Sequence, residues 1–296
     1  MIEGVTGGRR VHQLSAAAAI TFALLSSACG ERSEPRWADA DVYPVTIVDA
    51  SDRVVRIRAP ARRIALLDPS LGQILRALGA GDRIVGIPVS RTGSLRRGAL
   101  ERLDADIVLA PSALEPSVLS HAGAAAGAPV YVVPDTSILE VERAITQLGL
   151  VTGEPAAARS RVHAIEARRR AVAARLAGRA LTTVFVDVRD FEGASDQTLI
   201  GDMVREARGR NVVGGGVGAD LFGMGDLLRA DPSVYIATSD SGETLRTLRL
   251  DPQARRLTAV RRGRVVIIDS RLLTPGPAIG VGLERLARAL HPDHVQ

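Results

Sequence analysis

Three arginines follow segments rich in β-branched residues, at positions where a strand would end. They are Arg91, Arg189 and Arg271, and they follow the segments 84–87, 183–188 and 265–268. A guanidinium group presents a planar fork of donors that matches a carboxylate or another group of anionic oxygens. The three side chains therefore predict a site for a small, oxygen-rich anionic ligand. Each is equally consistent with a surface arginine, because the chain has no lysine and all 38 basic residues are arginine.

No set of residues indicates catalysis or a resident metal. The sequence has neither the GxSxG nor the SxxK nucleophile motif, and we interpret Asp187, Asp190 and Glu192 as loop charges. The glycine-rich run 214–218 lacks the lysine and hydroxyl of a phosphate-binding loop. The five histidines show no ligand spacing with carboxylates or cysteine. We therefore expect no enzymatic activity, no cofactor and no metal site.

The only cysteine, Cys29, ends an uncharged run, residues 14–28, that Arg9 and Arg10 precede. This run is too short for a permanent membrane span and is typical of a cleaved export signal. The junction 24–30 resembles a bacterial lipobox, which predicts acylation of Cys29 and anchoring to the extracytoplasmic face of the cell membrane. An ordinary secretory signal with an incidental cysteine is the alternative. With a single cysteine, no disulfide stabilises the exported chain.

Charge argues against nucleic acid as a partner. The net charge of the chain is only +5, and its basic clusters lack interleaved aromatic residues. The densest cluster, residues 168–170, is typical of a solvated helix face.

Short apolar runs alternate with helical periodicity in both halves of the chain. A hairpin is predicted at 45–48 and 54–57, and parallel strands at 64–67, 84–87, 107–109, 130–133, 183–188, 234–237 and 265–268. Between the halves, 156–176 has no internal proline or glycine and carries a narrow apolar stripe, so it predicts one long helix. We predict an α/β protein of two parallel-sheet, Rossmann-like lobes bridged by this helix; a single doubly wound domain is the alternative.

Domain boundaries follow from the same pattern. We expect a signal peptide at 1–28, a flexible tether at 29–42, an N-terminal lobe at 43–153, the interlobe helix at 154–178 and a C-terminal lobe at 179–296.

Several blocks between Tyr43 and Asp293 resemble one family in their order and spacing. They lie at 45–54, 63–70, 74–86, 199–212 and 275–277. The resemblance is to the substrate-binding lipoproteins of ABC importers for iron siderophores, haem and cobalamin, the class III periplasmic binding proteins. It implies two lobes with little hinge motion, a small-molecule ligand in the cleft between them, and an ABC permease as partner. We expect a monomer that captures a ferric siderophore or a related chelate.

Ligands of open α/β sheets lie beyond the carboxyl ends of the strands, on loops that a rigid scaffold supports. Applied to the family's cleft, this rule selects the following ligand-binding candidates: Asp68, Ser70, Ser90, Arg91, Pro111, Ser112, Arg189, Phe191, Phe222, Ser239, Ser270 and Arg271. The two phenylalanines are also consistent with core positions. Aromatic residues make up only 3% of the chain, so a large flat ligand would find little to stack on.

The resemblance also implies a docking contact with the permease through one glutamate in each lobe. In this chain those positions fall at Gly98 and Gly225, and the nearest acidic residues are Glu101 and Asp226. We expect these two to dock the permease. The displacement leaves a second hypothesis open, a family member that no longer transports and acts as an anchored ligand sensor or scaffold. A lipid-anchored enzyme is a third hypothesis, which no group of residues supports.

Overall fold

Runs of β-branched residues form the strands of two separate parallel sheets in the computed structural model, which describes residues 43–90, 94–215 and 222–293. The chain from Val42 onward groups into one compact unit. Within the described residues, no helix is both long and apolar enough to cross a bilayer.

The N-terminal half opens with an antiparallel hairpin and continues as a four-stranded parallel sheet of order β4-β3-β5-β6. Its strands are β1 (Val45–Val48), β2 (Val54–Ile57), β3 (Ile64–Leu66), β4 (Ile84–Gly86), β5 (Ile107–Pro111) and β6 (Val130–Val133). Its helices are α1 (Gly72–Ala77), α2 (Arg97–Glu101), α3 (Pro116–Ala126) and α4 (Ile138–Thr152). Strands β3 and β6 are buried throughout, which explains their continuous apolar sequence.

Helix α5 (Pro155–Leu176) joins the two halves. Pro155 occupies its first turn, where a missing N–H costs nothing. Its buried residues, Ala158, Ile165, Val172 and Leu176, form one narrow stripe at spacings of seven, seven and four. The other faces of the helix carry most of its arginines.

The C-terminal half is a five-stranded sheet in which β11, β10, β7 and β9 run parallel and the short β8 pairs antiparallel with β7. Its strands are β7 (Thr182–Arg189), β8 (Glu192–Gly193), β9 (Gly209–Asn211), β10 (Val234–Thr238) and β11 (Val265–Ile268). Its helices are α6 (Leu199–Glu206), α7 (Met224–Ala230), α8 (Leu245–Leu250), α9 (Thr258–Arg261) and α10 (Ile279–Leu290).

One apolar cluster runs through both halves. It includes Leu66 and Val141 on the N-terminal side, Ile165 on α5, and Val184 and Met203 on the C-terminal side. Smaller clusters cover the outer face of each sheet. Because α5 packs against both α4 and α10 through this shared core, apolar burial holds the two halves together.

The predicted fold class is confirmed: both sheets are mainly parallel and one long helix connects them. The hairpin is present at its expected positions. Strands β8 and β9 were not predicted. Gly209–Asn211 has no β-branched residue, so only its pairing with Thr182–Val184 reveals it as a strand.

Candidate functional site

Two cavities lie side by side at the carboxyl end of the C-terminal sheet. The larger has a volume of about 480 Å³ and the smaller about 240 Å³. Val188, Glu192 and Ile200 line both, so the cavities share a wall. Their position beyond the ends of β7, β10 and β11 is where the parallel-sheet rule places a ligand.

A tight turn between β7 and β8 connects two residues of this shared wall, Val188 and Glu192. Asp190 and Phe191 both have positive φ, +46° and +64°, as the central residues of a type I′ hairpin do. Neither is a glycine, so the turn holds a backbone conformation that costs about 1 kcal/mol or more for each residue. The turn presents Arg189 and Glu192 as a cross-strand pair at the rim of the smaller cavity.

Directly below this turn, β7 buries a carboxyl group. Asp187 has no exposed surface, and the Tyr235 hydroxyl donates a 2.6 Å hydrogen bond to its Oδ2. Its Oδ1 has no hydrogen-bond partner among the described residues. Burial raises the pKa of Asp187, and the bond from Tyr235 offsets this only in part. Burial of the Tyr235 side chain and the neighbouring Asp187 carboxylate both raise the pKa of the Tyr235 hydroxyl.

Of the three predicted arginines, only Arg189 lines a described cavity. Arg271 is held by Asp269, to which its Nε donates at 3.0 Å, and this pairing lowers the pKa of the carboxyl. Arg91 lies outside the described residues. Of the two candidate arginines that the structure describes, Arg189 is therefore the one available at the cavity, and the site for Arg91 stays a prediction.

The remaining polar residues of the C-terminal rim bond to one another. Ser239 Oγ accepts from the backbone N–H of Ser270 at 3.0 Å, and their hydroxyls lie 3.1 Å apart. Ser270 lines the smaller cavity together with Thr238, Asp240 and Thr274. These hydroxyls can exchange hydrogen bonds with a ligand.

The predicted aromatic pair takes two roles. Phe222 lines the larger cavity and stacks on Phe185 at a centroid distance of 6.0 Å. Phe191 lines neither cavity and, like Phe222, packs against the apolar cluster on the outer face of the C-terminal sheet.

The N-terminal rim is organised by carboxylates. Asp68 Oδ1 accepts from the backbone N–H of Ser70 at 2.6 Å and caps the short helical turn after β3. Ser112, which follows Pro111 at the end of β5, donates to Asp135 through its hydroxyl and its backbone N–H. Burial raises the pKa of Asp135. Ser90 Oγ accepts from the backbone N–H of Ser94, so it stabilises its own loop.

Gln73 links the two rims. Its side-chain amide donates to Thr274 Oγ1 at 3.1 Å, across 201 residues of sequence. Since Thr274 lines the smaller cavity and Gln73 follows Ser70 by three residues, this bond brings the Asp68–Ser70 loop to the edge of the cavity. Sequence reasoning missed Gln73, Thr274 and Glu192 as cleft residues. The only signal was the position of Gln73 and Thr274 next to the family-like blocks, and of Glu192 directly after the candidate Phe191.

The charge at the described site is mixed. Arg189, Glu192 and Asp240 line the smaller cavity, so one guanidinium group faces two carboxylates. Among the residues that the structure describes, no three histidine, cysteine, aspartate or glutamate side chains converge as a metal-binding group would. The site favours a polar ligand without a large negative charge.

The two predicted docking residues differ in their surroundings. Glu101 is exposed at the end of α2. Asp226 accepts from the backbone N–H of Gly223 at the start of α7 and also pairs with Arg229. Its carboxylate is therefore engaged within its own helix.

Residues 99–272 match the family model for the periplasmic binding proteins. The chain belongs to this family, and the predicted resemblance to substrate-binding proteins of ABC importers is confirmed. One relative is an uncharacterized ABC transporter substrate-binding lipoprotein, YvrC, of Bacillus subtilis, 26% identical over 94% of this chain and 96% of its own. Another is a cobalamin-binding protein of Halobacterium salinarum, 26% identical over 96% and 85%.

Solved structures support the same fold. The nickel-bound CeuE protein of Helicobacter pylori matches with a TM-score of 0.74 at 16% identity, over 84% of this chain and 90% of its own. An Fe³⁺-hydroxamate transport system protein of Saccharomonospora viridis matches with a TM-score of 0.67 at 20% identity, over 83% and 99%. A periplasmic haem-binding protein of Pseudomonas aeruginosa has a TM-score of 0.66 at 21% identity, over 79% and 94%.

Proposed function

We propose that this chain is an extracytoplasmic, lipid-anchored solute-binding protein that captures a metal chelate and delivers it to an ABC permease. Family membership and the paired cavities at the strand ends support this role. The relatives and structural neighbours include proteins described as binding cobalamin, haem or Fe³⁺-hydroxamate. Cys29 would carry the anchor, and the protein would act as a monomer without catalysing a reaction.

The charge of the site narrows the ligand class. Glu192 and Asp240 flank Arg189 in one cavity, and Asp68 and Asp135 lie on the opposite rim. A ligand with several negative charges would face more carboxylates than guanidinium groups, which opposes binding. Neutral or weakly charged chelates, such as ferric hydroxamate siderophores or corrinoids, satisfy the hydroxyl-rich rim without this repulsion. This class narrows the expectation from the sequence, which was a small, oxygen-rich anionic ligand such as a ferric chelate.

A thermal-shift panel tests the class. The purified chain is heated with a ferric hydroxamate, a ferric catecholate, haem or cobalamin, each at high excess. Ligand at a hundred times its Kd adds about 2.7 kcal/mol of stability, which raises the Tm by roughly 5–10 °C for a chain of this size. We expect the shift with the hydroxamate or cobalamin. A shift with the catecholate alone would contradict the charge argument, and no shift at all would remove the substrate class.

Arg189 and Arg271 form a matched pair of variants for the same assay. Arg189→Gln removes the guanidinium group that lines the smaller of the two cavities at the C-terminal rim, and we expect at least a tenfold loss of affinity for the ligand that shifts the Tm. Arg271→Gln removes an exposed guanidinium group already held by Asp269, and we expect less than a threefold change. Equal losses would move the site away from the smaller cavity.

The engagement of Asp226 favours a second candidate, an anchored sensor that binds ligand without delivering it. Uptake of the radiolabelled ligand by a deletion strain distinguishes the two. Loss of uptake in the deletion strain supports delivery to a permease. Normal uptake in that strain, together with binding of the ligand by the purified chain, supports the sensor.

A further inference from the structure

Six exposed arginines cluster on the outer side of the C-terminal half, on α8, on α9 and on the turn between them. We name this group the basic patch: Arg246, Arg249, Arg255, Arg256, Arg261 and Arg262. Helices α8 and α9 contact each other and the intervening 3₁₀ turn, so the six positions share one surface. The Nη2 atom of Arg249 lies 3.8 Å from the position that a Cβ atom on Gly263 would occupy, and Gly263 directly follows Arg262.

The charge of the basic patch is not neutralised within the described part of the chain. None of its arginines forms an ion pair there, whereas Arg83, Arg169 and Arg229 elsewhere all do. The nearby acids are Glu243, Asp231 and Asp251. Glu243, three residues before Arg246, accepts from the Thr247 hydroxyl at 2.6 Å. The two aspartates accept backbone N–H groups, at 2.6 Å from Thr258 and from Ala254 respectively. Six arginines against three carboxylates leave the patch with an excess of about three positive charges.

A rigid apolar cluster supports the patch. Leu248, Ala254, Leu257, Ala259 and Val260 are completely buried beneath it. The arginine backbones are therefore fixed, and binding through them needs little ordering of the chain.

The patch also exposes a large apolar side chain. Leu250 is 74% exposed and lies four residues after Arg246, on the same face of α8. An apolar side chain beside several cations on one face is the composition of a surface that binds at the boundary between lipid headgroups and acyl chains.

We infer that the basic patch binds the anionic headgroups of a phospholipid bilayer and holds the C-terminal half against the membrane. The inference rests on the proposed lipid anchor, which keeps the chain beside a bilayer and so raises the local concentration of headgroups. Each arginine near an anionic surface adds attraction that falls off within a Debye length. Leu250 inserts at the interface between headgroups and acyl chains.

Labelling at a single introduced cysteine tests this contact. Acylation consumes Cys29, the only cysteine of the chain, so Leu250→Cys supplies one free thiol for an environment-sensitive dye. The anchored full-length protein is placed in vesicles of phosphatidylcholine, with or without 30% phosphatidylglycerol, that contain brominated lipid as a quencher. We expect at least twofold stronger quenching in the anionic vesicles, and its loss in 0.5 M NaCl, where the Debye length is roughly 4 Å.

Two matched controls accompany the label. Val54→Cys, on the β1–β2 hairpin, places the dye at a residue of similar exposure, 71%, and should show no dependence on anionic lipid. The triple variant Arg246→Gln, Arg249→Gln and Arg256→Gln should abolish the quenching at position 250. The triple variant Arg56→Gln, Arg58→Gln and Arg62→Gln removes three other exposed arginines and should leave it unchanged.

Three outcomes would overturn the inference: equal quenching in both kinds of vesicle, equal quenching at positions 54 and 250, or shielding of the label by polyglutamate but not by anionic vesicles. The last would assign the patch to an acidic protein. Detergent-phase partitioning, with Cys29→Ser as the control, reports the anchor separately. The double variant Cys29→Ser, Leu250→Cys carries the label but no anchor. If its quenching still depends on anionic lipid when it is added to vesicles, the basic patch binds the membrane even if the native chain proves not to be anchored.

Discussion

The two rims of the cleft use similar residues in different ways. On the N-terminal rim, Asp68 and Asp135 accept hydrogen bonds from the serines beside them, so the carboxylates shape their own loops. On the C-terminal rim, Arg189 and Glu192 line an open cavity, and the buried acid, Asp187, lies one layer below them. Among the described residues, the carboxylates of the first rim are bonded within that rim, whereas Arg189 and Glu192 on the second rim are available to a ligand. The C-terminal rim should therefore provide most of the ligand's contacts.

Among the variants that test how the two sides are joined, one at the contact between the two halves has the largest expected effect on stability. Arg169 on α5 donates to Glu142 of α4 and to Glu206 of α6, and the Glu142 side chain is only 8% exposed. Arg169→Ala would leave a nearly buried carboxylate without its partner, and we expect a loss of about 3 kcal/mol in the free energy of unfolding. Urea denaturation measures it.

Arg170→Ala is the control for that variant. Its side chain is 72% exposed and pairs only with Glu166 on the same helix. We expect a change below about 0.5 kcal/mol. If the two variants lose similar amounts of stability, the contact at Arg169 makes no specific contribution to holding the two halves together.

The buried acid on the C-terminal side predicts a pH dependence. Because the folded-state pKa of Asp187 is raised, the folded chain binds the proton more tightly than the unfolded chain. Stability therefore falls as pH rises from near 4 through the folded-state pKa, by up to about 1.4 kcal/mol per pH unit. Asp187→Asn should remove this component from urea midpoints measured between pH 4 and pH 8.

The N-terminal counterpart sharpens the same test. Asp135 also has a raised pKa, but it is only half-buried and accepts two hydrogen bonds from Ser112. We expect Asp135→Asn to flatten the pH profile less than Asp187→Asn does. The reverse order would contradict the contrast between the rims.

The bond across the cleft has a smaller expected effect. Gln73→Ala and Thr274→Val each remove one side of the hydrogen bond between the rims. In a double-mutant cycle, we expect a coupling of about 1 kcal/mol in stability. A coupling near zero would mean that solvent replaces this contact without loss.

The strained turn gives the smallest effect. Asp190 is exposed with φ of +46°, so Asp190→Gly relieves strain without removing packing. We expect a gain of about 0.5 kcal/mol in the free energy of unfolding. Asp196→Gly is an exposed control outside the positive-φ positions and should lower stability slightly. A loss at position 190 would show that its side chain stabilises the turn.

Much of the scaffold follows from local sequence, because its signals are local. The apolar residues of Val130–Val133 and of the stripe on α5 indicate by themselves that these segments are buried. Parallel strands place their carboxyl ends at one edge, so the general location of the site also follows from the sequence.

The details of the site depend on contacts that local patterns do not encode. Arg271 pairs with Asp269, yet both residues appear in the sequence as ordinary loop charges. Gln73 meets Thr274 only after both halves have folded. Asp187 lies among apolar residues of β7, and its burial depends on the neighbouring strands of the sheet. Nothing in the local sequence predicts that its hydrogen-bond partner is Tyr235.

The β1–β2 hairpin determines how mechanical load would enter the protein. The Tyr43 hydroxyl donates to the Leu150 carbonyl, and the hairpin forms its own two-stranded sheet, with Val45 opposite Ile57 at the open end. Tension applied ahead of Tyr43 would break that bond first and then separate the rungs one after another. At the closed end, the Ala50 backbone N–H donates to the Val132 carbonyl and the Arg53 guanidinium group donates to the Val130 carbonyl, so the load would then pass from the hairpin into β6.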